Sequence, residues 1–142
     1  MGRYEFIPGV AIADLAFEVY ADTLNELFSL SAQALFDAMV ELRDVCPEHE
    51  VRISLTAEKL DNLLFDWLAE LVYQKDLDAQ LFSQFEVSIN ENGNCKLDAT
   101  VRGEPIDPAR HQLKTDVKAI TYHMFKLEKK GNGYYARLVL DT

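Results

Sequence analysis

From Leu60 to Val72 the apolar residues Leu60, Leu63, Leu64, Trp67, Leu68, Leu71 and Val72 return at intervals of three and four. This spacing places them on one face of a helix and predicts an amphipathic α-helix from about Glu58 to Gln74. Such a helix needs an apolar surface to lie on, and the flanking sequence supplies strands. Before it, Val51, Ile53 and Leu55 alternate with Arg52, Ser54 and Thr56, the pattern of a half-buried strand. After it come Phe85, Val87 and Ile89, then Cys95, Leu97, Ala99 and Val101. The two runs are joined by Asn90-Glu91-Asn92-Gly93-Asn94, whose Asn-Gly pair suits a hairpin turn. Trp67 belongs to the apolar stripe and is expected in the core, whereas Asp61 and Asp66 fall off it and are expected in water.

The N-terminal part repeats the alternation of strand and helix. Arg3 to Ile7 reads as a short strand ended by Pro8-Gly9. From Asp14, the residues Leu15, Phe17 and Val19 point one way while Asp14, Ala16, Glu18 and Tyr20 point the other. Asp22 is placed to cap a helix, with Glu26 adding negative charge near its positive end. Leu24, Leu27, Phe28, Ser31, Leu35, Ala38, Met39 and Leu42 carry that helix to about Leu42. Near the C-terminus, Asp116 to His123 reads as a strand with neither face cleanly apolar, and its continuation through Leu127 turns at Gly131-Asn132-Gly133 and returns as Tyr135 to Leu140. Gly103-Glu104-Pro105-Ile106-Asp107-Pro108 is expected to break the sheet ladder before a short turn leading to His111. The predicted class is α+β: a single-domain sandwich over residues 1–142, with two helices packed on a largely antiparallel β-sheet.

With 24 acidic and 14 basic residues the formal charge is −10, a field that repels phosphate backbones. Direct nucleic-acid binding is therefore not expected, and a basic protein partner suits the charge better. Cys46 and Cys95 lie in no CxxC or Cys/His cluster, so neither a disulfide framework nor a zinc site is indicated. No apolar stretch approaches the length of a membrane span, and no secretory leader pattern opens the chain, which points to a cytoplasmic protein without a membrane partner. Walker, GxGxxG, GxSxG, HExxH and EF-hand patterns are absent from the sequence. His49 is expected to be exposed and His123 to be a packed structural histidine.

The polar residues left over are Asp14, Lys118, Asp141, Glu104 and His111. Spacing alone does not bring residues 14, 118 and 141 together. If their strands share one rim, the two carboxylates and the terminal carboxylate of Thr142 form an oxygen-rich cluster that repels itself unless a cation or Lys118 stands among them. An ordinary Asp–Lys ion pair is the other reading of the same residues.

Lys118-Ala119-Ile120-Thr121-Tyr122-His123 resembles the signature of the archease family. Ala13-Asp14, Asp22-Thr23-Leu24-Asn25-Glu26-Leu27-Phe28, Leu63-Leu64-Phe65-Asp66-Trp67-Leu68-Ala69-Glu70-Leu71 and Gly103-Glu104-Pro105-Ile106-Asp107 agree with it in order, as does the closing Leu140-Asp141-Thr142. The resemblance covers essentially the whole chain and implies a functional, cation-binding patch of Asp14, Lys118 and Asp141, to which we add Thr142. Ca²⁺ is the first choice for such hard oxygen donors, with Mg²⁺ and Mn²⁺ also suited. The family's histidine three residues before the Asp is Ala11 here, its threonine is Ile12, and the glycine before the first helix is Ala21.

The resemblance further implies an accessory factor and not a self-sufficient enzyme. Its partner would be the RtcB-type tRNA-splicing RNA ligase, whose guanylylation and multiple turnover it would promote. Glu104 and His111 are expected as further contacts at the rim. Two other classes stay open: a chaperone or specificity factor for a tRNA-modifying enzyme such as a tRNA methyltransferase, and a small metal-dependent hydrolase using the same carboxylates.

Overall fold

The computed structural model describes residues 2–11 and 14–142. Its strands are β1 (Arg3–Ala11), β2 (Asp14–Ala21), β3 (His49–Ala57), β4 (Gln80–Asn90), β5 (Cys95–Pro105), β6 (Ala119–Lys130) and β7 (Gly133–Asp141), and its α-helices are α1 (Leu24–Met39) and α2 (Leu60–Asp78). They form a four-stranded sheet of order β1-β2-β7-β6 and a three-stranded sheet of order β3-β5-β4, antiparallel throughout.

The predicted class holds, with one difference: there are two sheets, and the helices lie between them. α1 packs on β1, β2 and β7 of the larger sheet and on β4 of the smaller, while α2 packs on β6 of the larger and on β3, β4 and β5 of the smaller. A helix covered from both sides buries more than one stripe. Ala32, Ala34 and Phe36 of α1 are accordingly buried beside the residues of the predicted stripe. Trp67 is fully buried, and its indole N–H donates to the Phe28 carbonyl at 3.0 Å, which joins the two helices inside the core. The outer face of the smaller sheet is wet: Lys96, Asp98 and Thr100 alternate along β5 with the buried Leu97, Ala99 and Val101.

Several boundaries move for identifiable reasons. β1 runs through Pro8-Gly9 because it is an edge strand, where a missing N–H costs no ladder bond, and a register irregularity between Ile7 and Ala11 absorbs the break. The cap of α1 is Thr23, one residue beyond Asp22. Its hydroxyl accepts from the Glu26 N–H at 3.1 Å, while the Glu26 carboxylate accepts from the Asp22 N–H at 2.8 Å, a reciprocal arrangement like a capping box but reaching one residue before the cap. At the other end of α1, the Ala38 and Met39 carbonyls accept from the Thr115 and Lys114 N–H groups, so the segment before β6 closes the helix. β5 continues to Pro105 because Gly103 pairs with both neighbours, His49 on β3 and Phe82 on β4.

β6 begins at Ala119, later than the sequence pattern indicates. Its ladder partner β7 ends at Asp141, which pairs with Ala119. Between Thr121 and Lys126 the register shifts, Met124 takes a φ of 56°, and the Arg137 Nε donates to the Met124 carbonyl at 2.8 Å across the bulge. His123 lies in this bulge and is exposed, which corrects its reading as a packed histidine. His49 is exposed as expected.

Candidate functional site

The larger sheet assembles the residues that spacing could not. β7 runs between β2 and β6, so their ends meet at one rim. Asp14 stands directly opposite Asp141 in the β2–β7 ladder, and Ala119 stands opposite Asp141 on the other side. Residues so paired have Cα atoms about 4.5–5.5 Å apart with side chains on the same face of the sheet. Asp14 is half-buried and Asp141 exposed, and Thr142 follows immediately. The rim thus offers two carboxylates side by side on main-chain positions that the ladder fixes.

Lys118 joins this rim through the main chain: its N–H donates to the Asp141 carbonyl at 2.8 Å, one step beyond the last β6–β7 rung. In the alternation of β6, Lys118 falls in step with the buried Ile120, whereas Ala119 falls in step with Asp141. Its residue lines a groove against α2 together with Phe65, Ala69, Tyr73 and Asp76. The lysine therefore connects the carboxylate rim to the helix beside it.

What places Lys118 is Lys75, which sequence reasoning passed over. Lys75 lies on the buried side of α2, only 5 % exposed. Its ammonium donates to Asp116 Oδ1 at 2.6 Å and to the Val117 carbonyl at 3.1 Å, and pairs with Asp76 at 2.7 Å. Burial pulls this ammonium toward neutrality, but the hydrogen bonds and charge of Asp116 and Asp76 outweigh that and hold it above the ordinary lysine value. A signal was present: Lys75 follows Leu71 by four residues and Val72 by three, so it occupies the apolar stripe.

Glu104 and His111 are elsewhere and do something else. Their side chains are 6 % and 0 % exposed, so the expectation of rim contacts is corrected: neither can reach a partner from its buried position. The Asp107 N–H donates to His111 Nδ1 at 2.9 Å, which puts the ring proton on Nε2, where it donates to Glu104 Oε2 at 2.9 Å. Arg110 Nη2 lies 3.2 Å from the same ring nitrogen but, being a donor itself, bonds instead to Glu104 Oε1. The Cys46 N–H adds a bond to Glu104 Oε2 at 2.6 Å. The Arg110 guanidinium first, then the Cys46 N–H and His111, hold the Glu104 carboxyl well below the usual carboxylate range. The network staples the loop after α1, the end of β5 and the turn at 107–111.

Cys46, Glu48 and Glu104 also bring ligand-type atoms within 4.8 Å of one another. Both Glu104 oxygens already accept hydrogen bonds there, so a cation would have to displace Arg110 or His111. Ile12, which carries part of the departure from the family motif, and Ala13, which agrees with it, lie outside the described residues. Among the described residues no helix is long and apolar enough to cross a membrane.

Residues 4–142 match the family model described as the Archease protein family. A protein archease of Methanopyrus kandleri is 43 % identical over 130 residues, 91 % of this chain and 93 % of its own. That of Sulfurisphaera tokodaii is 37 % identical over 141 residues, 99 % of each chain. Among solved structures, the solution structure of a Methanobacterium thermoautotrophicum protein superposes with a TM-score of 0.86 at 34 % identity, covering 98 % of both chains. A Thermotoga maritima crystal structure, described as an archease and possible chaperone, shares the fold with a TM-score of 0.66 at 22 % identity over 96 % of both chains. The chain belongs to the archease family.

Proposed function

We propose that this protein is an accessory factor of an RtcB-type RNA ligase in the cytoplasm, promoting ligase guanylylation and repeated turnover in tRNA splicing. The observation that carries the reading is the pairing of Asp14 with Asp141 at the rim where Lys118 joins β7, because these are the family's patch residues. Two carboxylates facing each other repel, and a divalent cation among them offsets the repulsion. Asp14 and Asp141, with Thr142 beside them, would hold that ion, and their hard oxygen donors fit Ca²⁺, Mg²⁺ or Mn²⁺. Bound there, the ion would supply a concentrated positive charge at a fixed edge of the sheet. The chain itself contributes the ladder that fixes the carboxylates and an acidic surface, net −10, that favours docking on a basic, RNA-handling protein.

The test is single-turnover guanylylation of the cognate ligase with GTP and Mn²⁺, with and without this protein. The wild type is expected to raise the rate and Asp14→Ala to leave it at the level of ligase alone. A wild-type protein without effect on the ligase, but with an effect on the fidelity of a tRNA methyltransferase, would overturn the reading in favour of the broader chaperone role. Hydrolysis of phosphoesters by the protein alone, abolished by Asp14→Ala, would overturn it in favour of an enzyme.

A further inference from the structure

Beside the carboxylate rim, α2 and the start of β6 enclose an open groove of about 360 Å³ lined by Phe65, Ala69, Tyr73, Asp76, Lys118 and Ile120. Its size is at the lower end of ligand pockets, about 300–1,000 Å³. Its walls are mostly apolar, and they continue onto exposed apolar surface: Tyr73 is 56 % exposed and Leu77, one turn further along α2, 62 %. The Phe65 ring stacks on Tyr122 with centroids 4.0 Å apart and planes 4° from parallel, and Asn62 Nδ2 reaches the Tyr122 hydroxyl at 3.4 Å. Phe65 thus lines the groove with its ring held against Tyr122 of the bulged edge strand β6, an aromatic surface for an apolar side chain.

The charges around the groove decide what kind of segment enters. Asp66 and Asp76 are exposed on α2 near the apolar lining, and Asp116 is exposed beside the start of β6. Lys75 bridges Asp116 and Asp76 and bonds the Val117 carbonyl, but one ammonium offsets only one of those two carboxylates, so that with Asp66 the surround of the groove keeps more negative than positive charge even with Lys118 in its lining. Lys118 also fixes the groove's position relative to the rim, since its N–H bonds to the Asp141 carbonyl.

We infer that this groove docks a basic segment of a protein partner, one that inserts a single aromatic or branched aliphatic side chain between Phe65, Tyr73 and Ile120 and sets flanking Lys or Arg residues against Asp66, Asp76 and Asp116. The inference deepens the proposed function and rests on it for the identity of the partner: the groove would anchor the ligase while the adjacent rim acts on it. An anchor and an acting rim separate in kinetics. Weakening the anchor raises the concentration of accessory protein needed for half-maximal stimulation and leaves the maximum alone, whereas losing the rim lowers the maximum.

The experiment uses the full chain, isotope-labelled, with two synthetic peptides, Lys-Lys-Leu-Phe-Lys-Lys and Glu-Glu-Leu-Phe-Glu-Glu, followed by ligase titration. Tyr73→Ser is the test variant, because a side chain more than half exposed can be removed without disturbing the core, and an unchanged Tm confirms it. The basic peptide is expected to shift the amides of Ala69, Tyr73 and Ile120, with binding weakened about 10-fold by Tyr73→Ser and about 10-fold or more in the acidic peptide. In the ligase assay Tyr73→Ser should raise the half-maximal concentration about 10-fold at an unchanged maximum. Shifts confined to another surface, or equal binding of both peptides, would overturn the inference. So would a concentration-dependent dimer lost in Tyr73→Ser, which would make a second copy the occupant. If the wild type fails to stimulate the ligase while the basic peptide still binds as described, the proposed function falls and the groove stands.

Discussion

Asp14 and Asp141 face each other across adjacent antiparallel strands, so two carboxylates are held on one side of the sheet at a separation the ladder sets. Directly opposed like charges cost roughly 0.2–1 kcal/mol relative to a neutral pair. Asp141→Asn is therefore expected to leave stability unchanged or raise it by up to about 1 kcal/mol in metal-free buffer. Adding Ca²⁺, Mg²⁺ or Mn²⁺ should reverse the order. A cation bound only to the native state adds about 2.7 kcal/mol at a hundred times its dissociation constant, and the variant forgoes that gain. Thermal unfolding with and without each cation checks both halves. Unfolding of Asp141→Asn at ordinary temperature, or no cation response in the wild type, would leave the two carboxylates as structural groups.

The buried Glu104 gives the acid limb of stability a definite sign. Its folded carboxyl sits below the usual 4.5, held there chiefly by Arg110, so its contribution is fully present above about 4.5 and is lost as pH falls further. Glu104→Gln can keep its carbonyl oxygen toward His111 Nε2–H and the Cys46 N–H, but it then turns its NH2 on the Arg110 guanidinium, a donor against a donor, and loses that charged bond at a cost of about 1–3 kcal/mol at neutral pH. The gap between wild type and variant should narrow progressively below pH 4.5. Denaturant unfolding across the acid range measures it, and a gap that stays constant with pH would mean that Glu104 acts through packing alone.

The sequence was informative where periodicity carries the signal and silent where tertiary pairing does. The α2 stripe, the β4–β5 hairpin and the two-residue alternation of β2 are local patterns, and each element forms where its pattern lies. That α1 is roofed by a second sheet was less visible, because Ala32 and Ala34 are small and register weakly as apolar face residues. The meeting of Asp14, Asp141 and Lys118 depends on strand order β2-β7-β6, which no spacing encodes. The resemblance to the archease family supplied their grouping, and the ladder supplies the geometry. Glu104 and His111 looked like surface polar residues because their partners, Arg110 and the Cys46 N–H, come from a turn and a loop whose approach is a tertiary matter.

Gly103 tests the join between β5 and its neighbours. A Cβ built there would lie 1.7 Å from the Leu81 carbonyl oxygen and 2.7 Å from Phe82 Cα, both of the main chain. The irregularity between Phe82 and Gln84 presses β4 against this position, so no side-chain rotation can relieve the contact. Gly103→Ala is expected to cost about 3 kcal/mol or more. The neighbouring Glu104 network should loosen with it, seen as faster exchange of the Cys46 amide proton. A loss below about 1 kcal/mol would show that the strands part easily at the bulge.

Lys75 ties the helix layer to the rim, and removing its charge separates that role from folding. Lys75→Met keeps the length and the apolar stem of the side chain while giving up the bonds to Asp116 and the Val117 carbonyl and the ion pair with the exposed Asp76. Asp116, largely exposed, returns to water at little cost, so the loss of stability should come mainly from the Val117 carbonyl and stay within about 1–3 kcal/mol. The local consequence should be larger. With residues 116–118 no longer held against α2, the Lys118 N–H that bonds to the Asp141 carbonyl should exchange at least about tenfold faster, a protection loss of roughly 1.4 kcal/mol, while the Ile120 amide inside the ladder keeps its protection. Ligase stimulation should fall with the Lys118 protection. Unchanged exchange at Lys118 in Lys75→Met would show that the β6–β7 ladder positions the rim without help from the helix.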